Sequence, residues 1–81
     1  MDDKNRLEFE KIIKETKISS EYKQNLIGSL RDIDLFITDQ LYYLGMLKGK
    51  ITAFWFMDKI SNKQKEELWE LIKGFEVKFR K

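Results

Sequence analysis

Apolar residues recur at Leu26, Leu30, Ile33, Ile37, Leu44, Leu47, Ile51 and Phe54, three or four apart, and hold one helical phase along the middle of the chain. Only Gln40 interrupts the series. A loop normally resets such a stripe, and no Asn, Asp or Pro lies between Gln40 and Lys50 to form one. The spacing predicts a long or gently kinked helix from about Ser20 to Lys59, roughly 60 Å at 1.5 Å per residue. The alternative is a break at Gly45–Gly49, giving a four-helix bundle, because each interior glycine costs about 1 kcal/mol relative to alanine.

Two further helices flank this segment. One runs from about Asp3 to Lys17 with a stripe of Phe9, Ile12, Ile13 and Thr16, and Asp2 or Asp3 supplies a carboxylate at its start. Leu7 falls off that stripe. The other spans about Asn62 to Phe79 with Leu68, Leu71, Ile72, Phe75 and Phe79 on one side and Trp69 at the margin. Lys78, Arg80 and Lys81 suit the negative end of its dipole. Absence of proline and scarcity of glycine (four residues) agree with an all-α class, a small helical bundle forming a single domain over 1–81.

"KISSEYK" and "KISNKQK" mark the two helix starts, with Ser19 or Ser20 and Ser61 or Asn62 as N-caps. Aligning Ile18 with Ile60 also pairs Lys23 with Lys65, Leu26 with Leu68 and Leu30 with Ile72. Such a match is compatible with a repeated hairpin, but the simpler reading is that two helix caps look alike.

The central segment is apolar on both sides. Successive residues turn by about 100°, so Phe54, Trp55, Phe56 and Met57 point roughly 300° around the axis, and one core face cannot cover them all. With Leu44 at the centre of the inward side, Tyr42, Met46, Gly49, Ala53, Phe56 and Ile60 fall opposite, bordered by Gly45 and Met57. Gly45, Gly49 and Ala53 form a track of small residues along which another backbone can approach closely. An apolar face of that size is expected to be a protein interface, here in a homodimer, or with another protein through the same residues. The competing arrangement is a compact monomer folded at Gly45–Gly49, with every aromatic in one core.

The chain has no cysteine and no histidine, which excludes disulfides, thiolate nucleophiles, imidazole bases and nearly all transition-metal sites. Asp32, Asp34 and Asp39 do not converge on a helix, since the first two point about 200° apart. Ser19, Ser20 and Ser61 have no neighbouring base. No catalytic residue, cofactor or metal is therefore expected. The net charge of +2 falls short of a nucleic-acid footprint, although residues 48 to 81 hold nine Lys/Arg against five Asp/Glu. Lys48, Lys50 and Lys59 around Trp55 and Phe56 leave nucleic-acid or membrane-surface binding as secondary readings.

Met1 is followed by Asp2, Asp3, Lys4 and Asn5 rather than by the basic and apolar segments of a leader, and the longest uncharged runs are far below the roughly 20 residues of a spanning helix. A cytoplasmic location is expected. The Lys-rich, Pro- and His-free composition resembles that of small proteins from AT-rich bacterial genomes and their phages, and this likeness carries no site. Together these features lead to a small non-enzymatic interaction module, a regulator, adaptor or inhibitor, with nucleic-acid binding through the basic C-terminal part as the alternative.

Overall fold

A computed structural model describes residues 3–79 as four helices: α1 (Asp3–Lys14), α2 (Ser20–Leu35), α3 (Gln40–Phe56) and α4 (Asn62–Phe79). Asp2, the side chain of Asp3, Arg80 and Lys81, expected to complement helix dipoles, lie outside the described residues. The bundle is all-helical, as the sequence predicts. α1 packs against α2 and α4, and α3 against α2 and α4, while the backbones of the diagonal pairs stay apart, so the helices form a ring around one core. Its centre is filled by Phe9, Ile13, Leu30, Leu44, Ile51 and Ile72, all fully buried.

The span 20–59 is mostly helical but is divided into α2 and α3. The division falls at Phe36–Asp39, not at Gly45–Gly49, which both lie inside α3. A continuous rod of roughly 60 Å would not fit a molecule 35 Å long. The N–H groups of Phe36 and Ile37 both donate to the carbonyl of Asp32, closing α2. Asp39 then stands at the N-cap of α3, although its side chain makes no capping bond. β-branched Ile37 and Thr38 are poor helix residues, and Asp39 favours a helix start.

Gln40 interrupts the apolar series because its side chain has another task. Its Nε2 donates to the Ile33 carbonyl at 3.2 Å, satisfying an acceptor that the last turn of α2 leaves open. Stripe phase survives the loop because both helices turn their apolar sides to the same core.

α3 ends in a Schellman turn. Lys59 N–H donates to Phe54 C=O at 2.9 Å and Asp58 N–H to Trp55 C=O at 3.0 Å, with Asp58 in the left-handed region at φ 59°. α1 ends differently, three residues earlier than the sequence suggests. Buried Thr16 donates its hydroxyl to Ile13 C=O at 2.7 Å, and the Lys23 ammonium caps Lys14 C=O at 2.7 Å. The two turns meet where Lys17 N–H donates to Lys59 C=O at 3.0 Å.

The repeat seen in the sequence extends through the fold. A shift of 42 residues carries the end of α1 onto the end of α3 and the start of α2 onto the start of α4. It also carries buried Phe9, Ile18, Leu26, Leu30 and Ile33 onto buried Ile51, Ile60, Leu68, Ile72 and Phe75. α1–α2 and α3–α4 are thus two hairpins of one design.

Candidate protein interface on α3

α3 buries Leu44, Leu47 and Ile51 completely and half-buries Phe54 and Trp55. Its opposite side is open. Tyr42 is 61% exposed, Met46 45%, Phe56 76% and Met57 56%, and Gly45, Gly49 and Ala53 between them are exposed as well. A Cβ built on Gly45 or Gly49 would meet no heavy atom within 4 Å, so packing within the chain does not require either glycine.

Six of the seven residues assigned to this face by helical phase, Tyr42, Met46, Gly49, Ala53, Phe56 and Met57, lie exposed on it. Ile60 does not belong there. It is 3% exposed and sits in the core, because α3 stops at Phe56 and the left-handed turn at Asp58 redirects the chain inward. Phase extrapolated past Phe56 therefore fails.

The run AFWFM is divided among three surroundings. Phe54 turns to α2, where its ring centroid lies 5.9 Å from that of Tyr22. Trp55 turns to α4, donating its indole N–H to Asn62 and lying 3.8 Å beneath the Lys65 ammonium. Phe56 leans on Trp55 with centroids 4.9 Å apart and otherwise faces outward with Met57.

Leu35 and Phe36, at the end of α2, are 58% and 75% exposed, and sequence reasoning missed them. Their signal was present: both fall off the stripe that joins Leu30, Ile33 and Ile37. Tyr43 stacks edge-on against Tyr42 at 5.3 Å and extends the aromatic edge of α3.

The cations near Trp55 and Phe56 do not form one platform. Lys48 lies 4.9 Å over Trp69, toward α4, whereas Lys50 lines the grooves toward α2. Asp32 and Asp39 are exposed and Asp34 is half-buried; among the described residues no three carboxylates converge in an arrangement that would hold a metal ion. Ser61 works as a cap: its Oγ accepts the Gln64 N–H at 3.1 Å, and Gln64 Oε1 accepts the Ser61 N–H at 3.0 Å. Ser19 stands at the N-cap of α2 without a side-chain capping bond. Among the described residues no helix is long and apolar enough to cross a membrane.

The chain matches no family model, and no curated protein or solved structure is significantly similar to it.

Proposed function

We propose that this chain is a small cytoplasmic, non-enzymatic interaction module, a regulator, adaptor or inhibitor of phage or mobile-element type, that self-associates through the outer face of α3. One observation carries the reading: α3 is apolar on both sides, and the bundle covers only one of them. A helix apolar all round is normally buried all round. The uncovered side is nearly free of charge, and its small residues let a second helix approach closely enough for Tyr42, Met46 and Phe56 to interdigitate across a two-fold axis.

Light scattering over a range of concentrations tests the proposal. A dimer is expected, and Ala53→Glu, which places a carboxylate in the centre of the contact, is expected to return it to a monomer with an unchanged helical spectrum. A wild-type monomer at high concentration, or a dimer indifferent to Ala53→Glu, would remove the α3 interface.

A further inference from the structure

A second recognition surface lies on another wall of the bundle, between α1 and α4. An open groove of about 610 Å³ runs there, with Ile12 and Leu71 at its base and mostly apolar atoms exposed along it. Its edges are acidic: Glu8 comes from α1, and Glu66, Glu67 and Glu70 come from α4, against Lys63 at one end. This local excess of negative charge sits on a chain whose net charge is +2. From Lys63 to Gly74 the α4 residues recur at helical spacing and line about 16 Å of the groove.

Folding does not require this acidity. The 42-residue shift maps the groove onto the α2–α3 wall, where Lys50 replaces Glu8, Asn25 replaces Glu67 and Gly28 replaces Glu70. The fold thus builds the same wall without those carboxylates, with smaller grooves of about 230 and 300 Å³ along it. Gly74 adds a separate observation. It lies inside α4, where glycine costs about 1 kcal/mol relative to alanine, and a Cβ there would meet nothing within 4 Å. The missing side chain leaves the end of the groove open to an approaching backbone.

We propose that the α1–α4 groove docks a basic amphipathic helix of a partner protein. The apolar stripe of such a helix lies over Ile12, Leu71 and Gly74, and lysines or arginines on its margins face Glu8, Glu67 and Glu70. Glu70 already pairs with exposed Lys73 at 3.4 Å, an ion pair in water that an incoming cation can exchange. An open groove that follows α4 from Lys63 to Gly74, with Ile12 and Leu71 at its base and carboxylates at its edges, suits a helix, which supplies both a stripe and flanking charges. A compact polycation would match the carboxylates alone.

The probe is an amidated Leu/Lys peptide of about 18 residues with leucines at i, i+3, i+4 and i+7 spacing, titrated at low salt into isotope-labelled protein. Saturable binding is expected, with backbone shifts concentrated at Glu8, Glu67, Leu71 and Gly74. The pair Glu67→Lys/Glu70→Lys should weaken the peptide at least about tenfold, as should Gly74→Leu, while Phe56→Glu leaves it unchanged. Circular dichroism verifies that each variant is folded. Absence of binding, shifts confined to the α3 outer face, or affinity indifferent to charge reversal would overturn the proposal. So would spermine competing with the peptide at equal concentration while Gly74→Leu has no effect, since the groove would then be reading charge alone.

Discussion

The two hairpins are built on one register and differ on their outer surfaces. α1 and α3 end at equivalent positions, and their inward residues Phe9 and Ile51 are both fully buried. Outward, α1 places Lys4, Leu7, Lys11, Lys14 and Glu15 where α3 places Met46, Gly49, Ala53, Phe56 and Met57. All ten positions are exposed. The bundle therefore tolerates a largely charged outer face at this place in the hairpin, and the apolar face of α3 is not a requirement of folding. The same reasoning applies to the walls, since Glu8 and Glu67 face a groove on one side where Lys50 and Asn25 stand on the other. What repeats between the hairpins reports the fold, and what does not repeat is where function is to be sought.

Equivalent core substitutions should have the largest and most similar effects. Leu26→Ala and Leu68→Ala each remove a side chain with almost no exposure, and each should lower unfolding free energy by about 2 to 5 kcal/mol in chemical denaturation. If one proves nearly neutral, the hairpins do not share a core.

The turns come next. Thr16→Val keeps the shape but leaves Ile13 C=O without the hydroxyl donor, a loss of about 1 to 2 kcal/mol by the same measurement. The two serine caps then separate the hairpins. Ser61→Ala removes the Oγ that accepts the Gln64 N–H, the side-chain half of a reciprocal cap, and should cost about 1 kcal/mol, whereas Ser19, whose side chain makes no capping bond, should tolerate alanine within about 0.5 kcal/mol. Equal losses at the two serines would show that the caps are alike after all. Opposite in sign is a gain: Asp58→Gly relieves a left-handed residue and should stabilise the α3 turn by a few tenths of a kcal/mol, seen as a raised thermal midpoint.

Much of this was legible in the sequence because helical periodicity reports directly on burial. Phe9, Ile12 and Ile13 are the buried side of α1, Thr16 is buried in the turn just past its end, and α4 spans the residues its stripe marks out. The outer face of α3 was legible for the same reason, as far as Phe56. The break at Phe36–Asp39 was hidden because periodicity records which residues face the core, not whether one helix carries them. The four-residue connection returned the stripe to phase. Its traces were Asp39, a residue that favours a helix start, and Gln40, the polar residue that caps the preceding helix. Ile60 was misplaced by the complementary error of carrying a phase beyond a helix end set by Asp58, a residue with none of glycine's usual signal for that turn.

We propose that the outer face of α3 serves association and not folding. It is tested most directly by giving α3 the surface of α1: Met46→Lys, Ala53→Lys and Phe56→Lys together, copying Lys4, Lys11 and Lys14. Solution mass and thermal unfolding are then measured on the same samples. The wild type is expected to be a dimer and the variant a monomer with its helical spectrum intact. A variant that loses its helical structure, or one whose mass equals that of the wild type, would contradict it.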